Sequence, residues 1–375
     1  MSVAPSVKGW CPGAYRPMMS GDGLVVRVRP RLSRLTAQQA TGLCTLAQLH
    51  GSGFLDLTNR ANLQIRGVAP QAHDTVLRAL AGLGLLDADP ALESRRNILA
   101  APFWQLGALT EGLTTALLDA LPDLPPLPPK VGFAVDTEEA RHLANDPADF
   151  RLERDTEGGL ILRADGAERG RPVSESGAIP ALIEMAQWFA ARMDDDHRRM
   201  HKLVAHQALP PEWQSVVPAP AAAQAVPGPR SEGLLLGAPF GQIDAAALYH
   251  AIKRSGAQAL RVTPWRLFLL EGAAPLPTPF IDQPGDPLLT TDACPGAPFC
   301  PSASVETRDL ATALARKLGG DLHVSGCEKG CARARPAALT VIGRDGRFDL
   351  VKGGHAWDEP SRTGLTAQDL LTGEL

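Results

Sequence analysis

The chain has 375 residues, with 44% hydrophobic and 21% charged side chains, which is typical of a globular protein of two or three domains. It contains no unbroken apolar run of about 18 residues and no charged start followed by an apolar core. A membrane span and a secretory signal are therefore not expected, and the cytoplasm is the predicted location.

The first 70 residues carry an excess of positive charge, although the net charge of the chain is −4. Eight basic side chains are opposed there only by Asp22 and Asp56, which gives 8 − 2 = +6. With two tyrosines in the whole chain, stacking on nucleic-acid bases is disfavoured, so the block predicts a small polyanionic partner. The basic residues are Lys8, Arg16, Arg27, Arg29, Arg31, Arg34, Arg60 and Arg66.

Residues 22–58 and 232–263 repeat one pattern of strand, polar loop, amphipathic helix, turn and strand. In the first copy, Thr36 and Gln39 form a capping-box pattern before a helical apolar stripe. In the second copy, Asp244 is the predicted helix cap. Each copy continues into another strand, at 63–66 and at 267–270. The sequence therefore predicts two α+β modules whose sheets pair about a pseudo-twofold axis.

Two Pro-rich stretches, 121–129 and 208–231, mark connections between the predicted units. A strand is predicted after the first stretch, at 131–135, and the second stretch predicts an extended linker. The result is an internally duplicated α+β protein of four lobes. The predicted units are a first half-domain (1–90), an α/β domain (91–207), the linker (208–231), a second half-domain (232–285) and a second α/β domain (286–375).

Isolated polar residues between the repeats carry weaker signals. Asp136 has no paired partner in the sequence and is predicted to be a surface or capping residue. His197 and His201, four residues apart after Asp194, would suit a metal on one face of a charged helix, and two histidines with a carboxylate are also a ligand set of non-haem iron. A surface or ligand-lining role for this helix is the favoured interpretation.

Four of the six cysteines lie between residues 294 and 331, in the spacing Cys-x5-Cys, 26 residues, Cys-x3-Cys. Such clustering in a reducing compartment indicates metal binding, and four thiolates are what a [4Fe–4S] cluster needs. Structural zinc sites usually pair their cysteines more closely, and two disulfides are disfavoured by the compartment; both remain alternatives. Cys44 lies on the apolar stripe of the first helix and is predicted to be core. The predicted cluster ligands are Cys294, Cys300, Cys327 and Cys331.

The cysteine spacing, the duplication and several segments resemble the sulfite/nitrite reductase superfamily over nearly the whole chain. The resemblance implies two paired ferredoxin-like half-domains, each followed by an α/β domain, the second of which carries the cluster. LTNRANLQIRG and RRNILAAP resemble the family's arginine motifs, and LPPKVGF resembles its Leu-Pro-x-Lys-x-Lys. These motifs assign anion binding to Arg60, Arg96 and Lys130, and in the reductases the role of bridging to sirohaem would fall on Cys331. The second lysine position holds Gly132, a departure that disfavours sulfite or nitrite reduction.

CPGAYRPMMSGDGLVVRVRP and the GCARARPAALTVIGRDGRFDLVKGG ending are similar to the cobalamin-pathway branch of the superfamily, the precorrin-3B synthases. That resemblance implies an oxygen-dependent monooxygenase that converts precorrin-3A to precorrin-3B by ring hydroxylation and lactone formation. It also implies an electron source, NADH or a reduced protein partner, and a further non-haem iron. No Gly-x-Gly-x-x-Gly fingerprint is present, which favours a separate electron-transfer partner.

A precorrin carries several carboxylate arms, for which arginine is the suited ligand. Arg27, Arg29 and Arg31 are predicted to project from one strand face, opposite Val26 and Val28, although a solvated strand face is an equal alternative. No catalytic residue is identified. The alternative functions are a sirohaem-dependent sulfite or nitrite reductase and a non-enzymatic iron–sulfur carrier. The predicted substrate-binding residues are Arg60, Arg96, Lys130, Asn62, Gln64, Arg66, Arg27 and Arg29.

Overall fold

A computed structural model describes residues 12–373 of the chain. Within this range the strands form four sheets of five strands each. No helix in the described range has the length and apolar character that crossing a membrane requires. The helices are Ala37–His50, His73–Gly82, Pro90–Arg95, Leu109–Asp119, Ala178–Ala190, Met200–Val204, Ala245–Ser255, Arg308–Leu318 and Ala367–Thr372.

The two sequence repeats form two antiparallel sheets, which we call the first and second half-domain sheets. The strands of the first, in spatial order, are Met18–Ser20, Gly23–Val28, Leu63–Val68, Phe54–Leu57 and Gln242–Asp244. Those of the second are Gly228–Arg230, Gly233–Gly237, Leu267–Glu271, Ala259–Val262 and Arg34–Thr36. The predicted strands at 63–66 and 267–270 are confirmed, each with a short extension.

The half-domains exchange a strand. Gln242–Asp244, from the second repeat, completes the first sheet by pairing with Phe54–Leu57. Arg34–Thr36, from the first repeat, completes the second sheet by pairing with Ala259–Val262. The predicted pairing of two modules is thus confirmed, and the reciprocal edge strands are what joins them.

Each exchanged strand leads directly into a helix, and the predicted caps are present. The Thr36 hydroxyl accepts from the Gln39 amide while the Gln39 side chain accepts from the Thr36 amide, a complete capping box. Asp244 caps the second helix through the Ala247 amide at 2.8 Å. The two helices pack against each other, and their apolar stripes share one core with the inner faces of both half-domain sheets. Cys44 is buried in this core, as predicted.

The remaining two sheets, called the first and second α/β sheets, have the same topology as each other. In both, three parallel strands are followed by two antiparallel ones. The strands of the first are Ile98–Ala100, Phe133–Asp136, Phe150–Arg154, Leu160–Ala164 and Arg171–Pro172. Those of the second are Asp292–Ala293, Leu322–Ser325, Ala337–Arg344, Arg347–Gly354 and Arg362–Leu365. The chain is therefore an internally duplicated α+β protein with paired ferredoxin-like half-domains, as the sequence predicted.

Residues 208–231 run along the first α/β unit for much of their length. Val216 and Pro218 form isolated bridges with Gly170 and Asp155. Trp213 is buried and its ring packs edge-to-face on Trp188 at 5.8 Å. The Pro-rich composition leaves few amide donors to satisfy, which suits an extended segment that packs through side chains.

Candidate metal centre and cationic face

The four clustered cysteines lie on two neighbouring loops of the second α/β sheet. Cys294 directly follows Asp292–Ala293, and Cys327 follows Leu322–Ser325 after one glycine. These strands are parallel neighbours, so the loops at their carboxyl ends meet at one edge of the sheet. A Cβ on Gly326, the residue before Cys327, would lie 3.2 Å from the Cα of Gly296, so the two cysteine loops are in contact. Burial raises the pKa of the Cys331 thiol, and the charge of the three other cysteines raises it further. None of the four is in a disulfide.

The backbone around these sulfurs is packed as a cradle. The Gly326 amide donates to Cys294 Sγ at 3.1 Å, and the Thr307 hydroxyl donates to the Cys294 carbonyl at 2.5 Å. A Cβ on Gly326 would lie 2.6 Å from the Cβ of Ala303, and one on Gly296 would lie 2.7 Å from Thr307 Oγ1. An amide donor on a thiolate and glycines at the contacts are what a sulfur-rich cluster requires of its loops. The residues present fit a [4Fe–4S] group.

A single metal ion would need its ligands to converge on one point, unlike a four-iron cluster. In the described range 12–373, no group of three or more His, Cys, Asp or Glu side chains is arranged to hold one metal ion. A cubane differs because each of its irons takes its own thiolate, so the four sulfurs need not meet at one point.

His197 and His201 do not lie on one helix, so the expected charged helix over both residues was wrong. The helix spans only Met200–Val204, and His197 lies before it, outside any helix or strand. His197 Nδ1 contacts Asp194 at 2.8 Å, whereas His201 Nδ1 faces Asp165 at 3.6 Å. The Asp194 carboxylate accepts the amides of Asp196 and His197, which closes a local turn instead of continuing a helix.

One face of the first half-domain sheet is polar. Gln64 lies on a central strand, opposite Arg27 on one neighbouring strand and opposite Asp56 on the other. The three side chains therefore share one face of the sheet. Arg66 lies two residues beyond Gln64 and on the same face. The opposite face carries the apolar partners that pack on the helices, such as Val26 and Ile65, both fully buried.

The equivalent face of the second half-domain sheet is closed. In the strand register, Leu235 and Leu269 stand in the places of Arg27 and Gln64. The two leucines join Phe103 in a buried apolar cluster. Beside them, Arg261 and Glu271 take the places of Asp56 and Arg66, and these two side chains are buried and hydrogen-bonded to each other. The duplication has therefore kept a polar face in the first half and closed its counterpart.

Hydrogen bonds from arginine side chains to backbone carbonyls connect the predicted anion-binding residues. Arg60 Nη2 donates to the Lys130 carbonyl at 2.7 Å, and Arg96 Nη1 donates to the Arg29 carbonyl at 2.5 Å. Arg29 also forms a buried ion pair with Glu93. Burial lowers the pKa of Arg96, and its ion pair with Asp87 at 2.8 Å opposes that shift. Segments far apart in the sequence thus meet in one cationic region.

Two buried donors in this region are unsatisfied. Neither Arg29 Nε nor Asn62 Nδ2 has a hydrogen-bond partner within residues 12–373, and the side chains are buried, with residue exposures of 4% each. Since buried donors are normally paired, an orphaned guanidinium nitrogen and an orphaned side-chain amide are suited to an anionic ligand.

The prediction for the arginine strand needs correction in two respects. The strand ends at Val28, so Arg31 lies beyond it in a short 3-10 turn, with an exposed side chain that reaches Asp87. Arg27 and Arg29 are only 8% and 4% exposed, so the solvated-face alternative was wrong for them. Pro30 ends the strand because it has no amide hydrogen to continue the ladder. Lys8 of the basic block lies outside the described residues.

Sequence reasoning missed the acidic partners of this face and one further arginine. Asp22 accepts two hydrogen bonds from Arg66, both at 3.1 Å, and Asp56 lies 3.6 Å from Arg66 Nη1. Arg308, from the second α/β unit, reaches the other oxygen of Asp56 at 3.9 Å. A cavity of about 400 Å³ lies between this end of the sheet and the loop after Cys294. No local pattern marks these contacts, because Asp56 and Arg308 lie 308 − 56 = 252 positions apart in the sequence.

Asp136 was also misjudged. It is fully buried at the end of a parallel strand of the first α/β sheet, where one oxygen accepts the Leu143 amide at 2.6 Å. The other oxygen is buried without a partner in the described structure. Burial raises the pKa of this carboxyl to about 7. The sequence contained no sign of this, since the strand is short and its last residue looks like a loop residue.

Comparisons with known proteins agree with this architecture. Residues 16–83 match the model of the nitrite/sulfite reductase ferredoxin-like half domain. A precorrin-3B synthase from Sinorhizobium sp is 31% identical over 96% of this chain and 86% of its own length. A ferredoxin–nitrite reductase from Synechococcus elongatus is 24% identical over the same shares of the two chains. The structure of the Mycobacterium tuberculosis NirA protein superposes with a TM-score of 0.66, at 18% identity, over 93% of this chain and 79% of that one. These similarities show that the chain belongs to the precorrin-3B synthase branch of the nitrite/sulfite reductase family.

Proposed function

We propose that this protein is the oxygen-dependent monooxygenase of cobalamin biosynthesis that converts precorrin-3A to precorrin-3B. The observation that carries the proposal is the asymmetry of the two half-domain sheets. The first presents Arg27 and Gln64 where the second presents Leu235 and Leu269. A duplicated fold that keeps a cationic polar face in one half and fills the corresponding place with buried leucines in the other has one place for a polyanionic ring.

The carboxylate arms of the substrate would be bound by the cationic region. Arginine matches a carboxylate with two parallel N–H donors, and the buried Nε of Arg29 has no hydrogen-bond partner in the described part of the chain. The orphaned amide of Asn62 would take a neutral donor role beside them. Arg66 is held by Asp22 and Asp56, so its part is to orient this end of the face. We assign substrate binding to Arg27, Arg29, Arg60, Asn62, Gln64, Arg96 and Lys130, and this orienting role to Arg66.

The cysteine cradle would hold a [4Fe–4S] cluster through Cys294, Cys300, Cys327 and Cys331. When bound, such a cluster supplies single electrons to chemistry beside it. Insertion of one oxygen atom from O₂ needs two electrons, with the second oxygen leaving as water. The electrons would come from NADH or from a reduced protein partner. We assign no residue to oxygen activation or to a second iron.

Gly132 favours the synthase over a reductase. A Cβ at this position would lie 3.6 Å from Arg60 Nη1, so a side chain there would project into the cationic region. The chain places no cation at that point. Reduction of a small anion such as sulfite or nitrite depends on a concentrated positive field, and this field is weaker here by one charge.

The test is a single anaerobic preparation. Iron, acid-labile sulfide and bound pigment are measured first, and precorrin-3A is then supplied with ¹⁸O₂ and NADH or reduced ferredoxin. We expect a cluster without haem and a product that has gained one labelled oxygen atom. Sirohaem in the isolated protein together with sulfite or nitrite reduction would overturn the proposal in favour of a reductase. A cluster with neither activity would overturn it in favour of an iron–sulfur carrier.

A further inference from the structure

A chain of alternating charges crosses from the polar face to the cluster-bearing unit. Arg66 holds Asp22 by two hydrogen bonds of 3.1 Å and approaches Asp56 at 3.6 Å. Asp56 then faces Arg308 at 3.9 Å. The first three residues belong to the first half-domain, whereas Arg308 begins the helix that follows the loop of Cys294 and Cys300. These contacts join the two units at the end of the sheet nearest the cysteines.

Arg308 is tied to the cysteine loop through its neighbour. Thr307 precedes it directly and donates to the Cys294 carbonyl at 2.5 Å, and Gly296 packs against the same threonine. Arg308 and Pro295, the residue after Cys294, line one wall of the same cavity of about 400 Å³. The guanidinium therefore lies near the Cys294 loop, within range of the charge of the Cys294 thiolate.

The charge of Arg308 is only weakly screened by solvent, because the side chain is largely buried. Its Nε and the Oδ1 of Asp56 are buried and have no hydrogen-bond partner in the described part of the chain. Burial lowers the pKa of Arg308 and raises that of Asp56, and each opposes the shift of the other. At low local dielectric a charge acts on its neighbours more strongly than at the surface.

The cavity itself does not suit a carboxylate arm of the substrate. Asp22, Glu306 and Asp309 line it together with the two arginines, and Asp56 lies behind them. Four acidic groups outnumber two basic ones, so a further anion would be repelled. The cavity is thus not a second anion site, and the charge of Arg308 is not taken up by a free anionic ligand.

We propose that Arg308 is a positioning residue that locks the Cys294 loop onto the first half-domain through Asp56 and raises the reduction potential of the cluster. This inference rests on the proposed cluster. A fixed positive charge stabilises the reduced, more negative state of a cluster, so the potential is higher with Arg308 than without it. Asp56 acts in the opposite sense because it offsets that charge.

The test is the midpoint potential of the cluster, followed by electron paramagnetic resonance in a redox titration of the full protein. Arg308→Gln should shift the potential to more negative values, Arg308→Lys should remain close to the parent, and Asp56→Asn should shift it to more positive values. Arg316→Gln is the matched control, since Arg316 lies on the same helix, is 60% exposed and pairs with Asp286. It should leave the potential unchanged.

Opposite shifts in the Arg308→Gln and Asp56→Asn proteins are the signature of electrostatic control, whereas simple loosening of the loop would move both in one direction. Equal potentials in the parent and Arg308→Gln proteins, or shifts of the same sign, would overturn the inference. A preparation without iron and sulfide would overturn it together with the proposed function. A cluster that responds as expected in a protein without turnover would leave this inference standing and remove only the proposed substrate.

Discussion

Glu271 accepts two hydrogen bonds of 2.9 Å from Arg34, a residue 237 positions earlier that belongs to the other half-domain. Arg261 donates to the same carboxylate at 2.7 Å, and Glu271 is only 7% exposed. One carboxylate thus neutralises two arginines at the point where the exchanged strand joins the second half-domain sheet. The contact converts two ferredoxin-like repeats into one unit.

Glu271→Gln should destabilise the protein by about 3 kcal/mol, because it leaves the buried Arg261 and the partly buried Arg34 without their counter-charge. The two arginines hold the pKa of Glu271 at about 2, below the ordinary value of 4.5. The stabilisation is therefore present above pH 4.5 and is lost as the pH falls towards 2. Urea unfolding at pH 7, 4 and 3 gives the free energy of unfolding of the parent and of the variant. The difference between the two free energies should become smaller as the pH is lowered. Asp195→Asn, which removes an 89% exposed ion pair, is the control and should change stability by less than about 1 kcal/mol.

Replacing any of the four clustered cysteines by serine should lower the iron and sulfide content of anaerobically purified protein, because each would hold one iron of the cluster. Cys44→Ala is the matched control. Cys44 is buried in the half-domain core, where burial raises its pKa to about 12, and its loss should affect stability but not iron. Full iron content in a Cys327→Ser protein would contradict the assignment.

Gly326→Ala should impair the cluster as much as the loss of a ligand. The new methyl group would meet the Cβ of Ala303 at 2.6 Å and displace the amide that donates to Cys294 Sγ. The iron-to-protein ratio and the visible absorption of the cluster report this. Gly112→Ala, on an open helix position with nothing within 4 Å, should instead stabilise the protein by about 0.5–1 kcal/mol.

Gln64→Leu should weaken binding of the tetrapyrrole roughly tenfold through the loss of one hydrogen bond to a charged group. The fold should tolerate it, since Leu269 occupies the equivalent position of the second sheet. The dissociation constant is measured by absorbance titration with precorrin-3A under anaerobic conditions. Gln38→Leu makes the same chemical change at an exposed helix position and should leave the affinity unaltered. Equal affinities in the two variants would remove Gln64 from the substrate site.

Asp136→Asn should stabilise the protein above neutral pH. The folded-state pKa of about 7 lies above the ordinary 3.8, so ionisation of Asp136 opposes folding progressively between pH 3.8 and 7. The asparagine can still accept the Leu143 amide but carries no charge. Urea unfolding measures the free energy of unfolding of both proteins. As the pH rises from 4 to 7, that of the parent should fall relative to that of the variant, and above pH 7 the difference between them should stay constant. A difference independent of pH would show that burial does not hold this carboxyl neutral.

The elements of this protein that depend on neighbours in the sequence were predictable from the sequence. The capping box of Thr36 and Gln39 needs residues three apart, and the repeat of strand, helix and strand is visible as a repeated pattern of apolar positions. The spacing of the four cysteines restricted the metal chemistry, because x5 and x3 arms with glycine and proline suit a cubane better than a zinc ion. Local hydrogen bonds and side-chain periodicity depend only on residues that lie close together in the sequence.

The arrangement of charges was decided only by the tertiary structure. The exchange of Arg34–Thr36 for Gln242–Asp244 pairs strands some 200 residues apart, and either edge strand alone is three residues long. The partners of Arg66 and Arg308, and the burial of Asp136, likewise follow from packing between distant segments. The electrostatic energy of a side chain depends on what surrounds it in space, and a one-dimensional pattern does not contain that information.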